Sequence, residues 1–181
     1  GAQELINAGS TSGGEMQYSL DNATFSTSIP TGTEAKEYTV YYKVVGGTNY
    51  EDVAAASIKV TISDAKMTVS AKGFEGTYDG KAHSITVTVT TPAEGAVVKY
   101  GTTEGSYDLT ENPTYTDAGT YTVYYQVTKD GYEATTGNAI VKINKAKPTV
   151  TAPTAKENLT YTGGAQELIN AGSTSGGEMQ Y

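Results

Sequence analysis

Residues 117–128 read DAGTYTVYYQVT, and residues 34–45 read EAKEYTVYYKVV. In both stretches large apolar side chains occupy every second position, in the first at Tyr121, Val123, Tyr125 and Val127 and in the second at Tyr38, Val40, Tyr42 and Val44. An alternation of period two places apolar side chains on one face of a β-strand. The two stretches therefore predict two related strands, and their inward tyrosines are expected to fill the core in a chain that has no Trp and only 2 Phe.

Other parts of the chain carry the same signal. Residues 84–90 alternate apolar and polar side chains at every step, and further strands are predicted over 66–71, 96–100 and 139–143. Turn residues separate these stretches at short spacing, as at Pro92–Gly95 and Lys129–Gly131. Residues 51–57 contain three alanines, but this run is too short to form a helix alone. The fold class predicted is all-β, with units that are β-sandwiches or small barrels.

The chain also repeats itself at two levels. Residues 1–18 and 164–181 are identical, so the chain spans one period of 163 residues plus an overlap of eighteen. A diverged repeat inside this period divides the chain into modules joined by short linkers. We predict a first module that lacks its opening strand, a complete second module and the opening segment of a next module, over residues 1–64, 65–145 and 146–181 respectively.

Composition narrows the classes of function. The chain has a formal charge of −8, and all twelve of its Lys+Arg residues are Lys. An acidic chain without arginine is a poor candidate for binding nucleic acid, which requires basic patches. The absence of Cys excludes disulfides and thiol chemistry. No stretch approaches the roughly 18 apolar residues that a membrane-spanning helix needs, so no membrane span is expected.

Several motifs together resemble a known family. Asp117–Val123 resembles the immunoglobulin-fold pattern Asp-x-Gly-x-Tyr-x-Cys, in which the Tyr hydroxyl bonds to upstream backbone; Val123 stands at the Cys position. The first module has Lys36 at the position of Gly119. With three further motifs, the chain resembles the immunoglobulin-like MBG-type repeat domains of bacterial cell-surface proteins; these motifs are Tyr78-Asp79-Gly80, Gly131-Tyr132-Glu133 and Ile143-Asn144-Lys145-Ala146. The resemblance implies tandem immunoglobulin-like β-sandwich modules in an extracellular protein of the bacterial surface or cell wall.

Candidate site residues are few. His83 is the one histidine, and it is expected to be a solvated or edge-strand residue rather than a catalytic one. Tyr41 and Tyr124 face away from the predicted core, which makes them the candidates for ligand contact. Lys66 and Asn144 are a candidate isopeptide pair, although two solvated strand-end residues are the favoured interpretation. Calcium-loop and phosphate-loop spacings are absent, so we expect no catalytic residues, cofactor or metal.

The function expected is therefore structural. Near-identical tandem units favour length over varied contact surfaces, which points to an extended spacer in a bacterial stalk, adhesin or filament. The alternatives are an adhesive module that binds glycan or host protein, and an accessory module of a secreted hydrolase. The expected partners are neighbouring modules of the same array. The cut modules have two explanations: head-to-tail completion between copies, or one window of a longer polymer, which the eighteen-residue overlap favours.

Overall fold

The computed structural model describes residues 1–181 and is all-β, with no helix and several separate sheets. It thereby confirms the predicted class and is consistent with a β-sandwich architecture. No helix long and apolar enough to cross a lipid bilayer is present. The strands are β1 Gln3–Glu4, β2 Glu15–Ser19, β3 Thr31–Gly32, β4 Lys36–Val45, β5 Val53–Ile62, β6 Thr68–Lys72, β7 Phe74–Thr77, β8 Thr86–Thr91, β9 Val97–Gly101, β10 Gly119–Thr128, β11 Thr135–Asn144, β12 Val150–Thr151, β13 Thr154–Ala155, β14 Ile169–Asn170 and β15 Ser173–Thr174.

The N-terminal segment, residues 1–64, contains a three-stranded sheet in the order β2-β4-β5, with antiparallel pairing throughout. Tyr18 lies opposite Tyr42, and the ion pair between Lys59 and Glu37 joins β5 to β4 at 2.7 Å. Strand β5 begins at Val53, so the alanine run that follows is strand. Pairing with β4 decides this conformation, because a run so short gains little from helix propensity.

The central segment, residues 65–145, contains a four-stranded sheet in the order β7-β11-β10-β9 and a separate pair of strands, β6 and β8. The predicted alternation is confirmed: Val123, Tyr125 and Val127 are buried, whereas the intervening residues of β10 are only half-buried. Strands β6, β8 and β9 lie within one or two residues of the stretches predicted for them, and β11 begins four residues before its predicted start. Strand β7 was not predicted, because glycine at position 76 weakens its sequence signal.

Two compact units, each discontinuous in sequence, make up the chain. The first comprises Gly1–Ser70, Thr88–Val98 and Gln126–Thr136. Its buried apolar side chains are Leu5, Tyr18, Val40 and Val127. The second comprises Ala71–Val87, Lys99–Tyr125 and Gly137–Tyr181. Its buried apolar side chains are Ile85, Val123, Tyr125, Val141 and Ile143. The module boundaries at 64/65 and 145/146 stay predictions.

The identical eighteen-residue stretches adopt different pairings. In the N-terminal copy Glu15–Ser19 is strand β2, and residues 6–11 form no strand. In the C-terminal copy the equivalents of 6–11 provide β14 and β15, which pair with β13 and β12. Leu5 is 6% exposed, whereas its equivalent Leu168 is 68% exposed. The same sequence thus has two different strand pairings and two degrees of burial. Tertiary context, and not local sequence, therefore determines both.

Candidate functional site

Strands β7 and β11 are paired in parallel, which joins an early strand of the central segment to its last strand. Phe74 lies opposite Val141, and Thr77 lies opposite Asn144. The Tyr78 N–H continues the pairing by donating to the Asn144 carbonyl at 2.8 Å. The evenly spaced backbone hydrogen bonds of this parallel pair therefore hold β7 beside β11, the last strand of the segment.

An ion pair lies across the same two strands. The Lys142 Nζ is 2.6 Å from the Glu75 Oε1. The hydrogen bond from Lys142, together with its positive charge, holds the pKa of Glu75 below its ordinary value. Both side chains are about half exposed, so solvent screens the pair and it adds little to stability. The backbone pairing and the buried Val141 and Ile143 carry most of the connection.

The junction after β5 is tied to a turn of the central segment. The Ala65 N–H donates to the Gly131 carbonyl at 2.9 Å, and the Glu133 N–H donates to the Ala65 carbonyl at 2.9 Å. Gly131 has φ +76°, a conformation that glycine adopts without steric cost. The Tyr132 N–H closes the turn by donating to the Lys129 carbonyl at 3.1 Å. Two backbone bonds therefore restrain the chain at Ala65, just after β5.

The tyrosine hydroxyls at the start of both long strands bond upstream backbone, as the immunoglobulin-fold pattern implies for Tyr121. The Tyr121 hydroxyl donates to the Asp117 carbonyl at 3.2 Å. The Tyr38 hydroxyl donates to the Glu34 carbonyl at 3.0 Å, although Lys36 stands where the other copy has glycine. The Lys36 Nζ pairs with the Glu34 carboxylate at 2.6 Å, beside the Tyr38 ring. Each bond anchors the start of a long strand, β4 or β10.

His83 belongs to a small cluster on the central segment. Its Nε2 lies 2.9 Å from the Asp79 Oδ1, and its ring stacks on Phe74 with centroids 3.7 Å apart. The hydrogen bond from His83 is the main cause of a lowered pKa at Asp79, and the Lys81 N–H, which donates at 3.0 Å, adds to it. The His83 side chain is 16% exposed. The cluster fixes the turn at residues 79–83 against β7.

The inward face of the N-terminal sheet is open. A groove of about 490 Å³ lies on it, lined chiefly by Leu5, Met16, Tyr18, Tyr42, Ile58 and Val60. Tyr42, which the period-two alternation predicts to be in the core, is 37% exposed, whereas its repeat equivalent Tyr125 is 7% exposed. The expectation for Tyr42 is therefore wrong: its strand faces the groove, where it remains accessible to solvent.

The other predicted site residues lie apart from these features. Tyr41 and Tyr124 are half-buried in the long strands β4 and β10. Lys66 is exposed just before β6, and Asn144 is exposed at the end of β11. Ser19 is the one buried polar residue, so no buried carboxylate is present to assist an isopeptide bond. No cluster of three or more histidine or acidic side chains is arranged to hold a metal ion.

Sequence reasoning missed the Glu75–Lys142 pair and the ring of His83 stacked on Phe74. Both depend on β7, and the alternation Phe-Glu-Gly-Thr at residues 74–77 was the one signal available for that strand. A scan against protein-family models, a search of curated proteins and a search of solved structures found no match.

Proposed function

We propose that this chain is a repeat of a bacterial surface stalk, adhesin or filament, in which tandem immunoglobulin-like β-sandwich modules act as an extended, load-bearing spacer without catalytic activity. The exact recurrence of residues 1–18 at 164–181 supports a tandem array. The location outside the cell rests on the resemblance to MBG-type surface repeats. The role in bearing load rests on the pairing of β7 with β11.

The parallel arrangement determines how this pair responds to tension. A pull along the chain draws β7 toward its N-terminal end and β11 toward its C-terminal end. Because the strands are parallel, these two directions are opposite, so the strands must slide past one another. The four paired positions between Phe74 and Thr77 on β7 are then loaded together. Resistance is highest when all bonds of a ladder must break at once.

The restrained junction supports the same role. A flexible linker would add slack between neighbouring modules, but the two backbone bonds at Ala65 limit rotation there. The chain has net charge −8, which disfavours lateral aggregation of neighbouring copies.

Single-molecule force measurements test this proposal through the direction of pulling. The chain has no Cys, so cysteine pairs introduced for attachment define the direction uniquely. Force applied through attachment points at Lys72 and Lys145 pulls β7 and β11 in opposite directions along their axes. This loads the hydrogen bonds between the two strands in shear. Force applied through attachment points at Lys72 and Ile140 acts at the same end of both strands. The paired positions of β7 and β11 then separate one at a time. All three positions are exposed, so the substitutions leave the core intact.

We expect shear loading to need a severalfold higher unfolding force than opening from one end, at the same pulling speed. Chemical denaturation of the two cysteine variants is the control, and it should give equal stabilities. Equal forces in both directions would refute a load-bearing role for the parallel pair.

A further inference from the structure

Three stretches of the chain have the form Asn-x-Thr, which is an acceptor sequence for N-linked glycosylation when x is not proline. They are Asn22-Ala23-Thr24, Asn112-Pro113-Thr114 and Asn158-Leu159-Thr160. Proline excludes the second of them. The sequence therefore leaves two candidate acceptors, and the structure shows whether their side-chain amides are accessible.

Asn22 lies in an exposed loop that follows β2. Backbone hydrogen bonds in both directions between Tyr18 and Ser26 close this loop, at 2.7 and 3.0 Å. Within the loop, the Asp21 carboxylate accepts hydrogen bonds from the Ser19 hydroxyl and from two backbone N–H groups, at 2.6 to 2.8 Å. Asp21 therefore holds the loop in shape, and the exposed side chain of Asn22 takes no part in these hydrogen bonds.

Asn158 lies in the loop between β13 and β14 and is exposed as well. The Lys156 N–H closes the base of this loop by donating to the Leu168 carbonyl at 2.9 Å. Asn22 and Asn158 also share a backbone conformation, with φ +57° and +60°. They are the two residues other than glycine that have a positive φ. Both candidate acceptors thus lie at left-handed positions of exposed loops.

The central segment contains a similar loop that has no acceptor sequence. Backbone hydrogen bonds in both directions between Tyr100 and Leu109 close it, as in the loop of Asn22. Its left-handed position is Gly105, with φ +79°. Glycine meets the backbone requirement there without steric cost. The turn geometry therefore does not by itself require asparagine, and it places no requirement for threonine two residues later.

Asn112 shows how an asparagine of the same pattern is used by the fold instead. Its Nδ2 donates to the Ile85 carbonyl at 2.7 Å, and Asn112 is half-buried. Ile85 is 2% exposed, so this amide lies against the core. Asn22 and Asn158, in contrast, are exposed. The structure therefore separates two accessible amides from one that is engaged.

We propose that Asn22 and Asn158 are acceptor sites for N-linked glycosylation by a glycosyltransferase that takes a sugar diphosphate as its donor. The asparagine Nδ2 forms a bond to the anomeric carbon of the sugar, and the bond between that carbon and the diphosphate oxygen breaks. The diphosphate leaves with the electron pair of the broken bond, and one amide proton passes to a base of the transferase. The step therefore needs an amide nitrogen that the transferase can reach.

The modification is independent of the mechanical role proposed above. A glycan is bulky and solubilising, so it belongs at the surface, where both loops lie. The attached sugars would shield these loops from neighbouring molecules. The inference holds whether or not the modules bear load, and its test measures no force.

Trypsin digestion and mass spectrometry can follow each asparagine separately, because the chain has no arginine and its lysines fall between the three sites. The peptides are residues 1–36, 100–129 and 157–181, which contain Asn22, Asn112 and Asn158 respectively. The folded chain is first incubated with a soluble transferase that recognises Asn-x-Ser/Thr and with a nucleoside diphosphate hexose. We expect one hexose on the first peptide, one on the third and none on the second.

Substitutions at Thr24 test the acceptor sequence without changing Asn22. Thr24→Ala keeps the backbone N–H that donates to Asp21, so the loop should keep its shape. It should abolish the modification of residues 1–36 and leave that of residues 157–181 unchanged. Thr24→Ser retains an acceptor sequence and should retain the modification.

Pro113→Ala is the matched control for accessibility, because it gives Asn112 the same two following residue types as Asn22. In the folded chain Asn112 should stay unmodified, since its amide is bound to the Ile85 carbonyl. A synthetic peptide of residues 105–120 with the same substitution should be modified. Synthetic peptides of residues 15–30 and 150–165 establish beforehand that the transferase accepts both natural sequences.

Two results would overturn the proposal. One is a folded chain in which Asn22 and Asn158 stay unmodified although both synthetic peptides are modified, because the folded loops would then not present their amides. The other is equal modification of Asn22 and Asn112 in the folded Pro113→Ala chain, because accessibility would then play no part in the choice of site.

Discussion

The duplicated stretch provides a controlled comparison of burial. Leu5 and Leu168 occupy the same position in identical eighteen-residue sequences, but Leu5 is 6% exposed and Leu168 is 68% exposed. Truncating a buried leucine to alanine costs about 2–5 kcal/mol, and the open groove beside Leu5 favours the lower end. We predict a loss of about 2 kcal/mol for Leu5→Ala. For Leu168→Ala we predict a change within about 0.5 kcal/mol.

Hydrogen exchange measures both effects in one assay. A loss of about 2 kcal/mol makes the amides of β4 exchange roughly 30-fold faster where exchange follows the opening equilibrium. The Leu168→Ala chain should leave those rates unchanged. Because local sequence is the same around both positions, helix or strand propensity cannot account for a difference. Equal effects of the two substitutions would refute the claim that tertiary context separates the copies.

Three further predictions concern single features. Tyr38→Phe and Tyr121→Phe should each lower the free energy of unfolding in urea by about 0.5–1.5 kcal/mol for each hydrogen bond lost, two at Tyr38 and one at Tyr121; an unchanged midpoint would contradict this. Hydrogen bonds from a serine hydroxyl and two backbone N–H groups hold the pKa of Asp21 far below its ordinary value, so the stability they give is present above pH about 4 and is lost as the pH falls through the lowered pKa. An NMR titration in which the Asp21 carboxyl loses its proton near pH 4 would contradict this lowered pKa. Ala65→Pro removes the N–H that bonds to the turn, so trypsin should cleave faster after Lys66; an unchanged rate would show that the junction is held otherwise.

Local sequence determines some features of the structure directly. The Gly9 N–H donates to the Tyr18 hydroxyl at 2.7 Å, and the equivalent Gly172 N–H donates to the Tyr181 hydroxyl at 2.8 Å. The same loop therefore forms in both copies, even though Tyr18 is 4% exposed and Tyr181 is 69% exposed. The period-two alternation of the long strands was likewise readable from sequence, because side chains of a strand alternate between faces whatever its partners.

Features that depend on partners distant in the chain could not be predicted from the sequence. Strand β7 is four residues long and pairs with a strand 67 positions further along the chain, as the Glu75–Lys142 pair shows. Tyr42 and Tyr125 both end the sequence YTVYY, so these shared residues give no signal that Tyr42 faces an open groove. The stacking of His83 on the ring of Phe74 likewise joins two residues that are nine positions apart, and the local sequence carries no signal for it. Each of these properties depends on contacts between separate segments and not on the local sequence of one segment.

Small-angle scattering on arrays of two, four and eight repeats tests the proposed spacer most directly. If the restrained junctions make a stiff rod, the radius of gyration should about double each time the number of repeats doubles. A flexible chain of the same modules would grow only about 1.4- to 1.5-fold per doubling. Growth at that lower rate would contradict a stiff, load-bearing spacer.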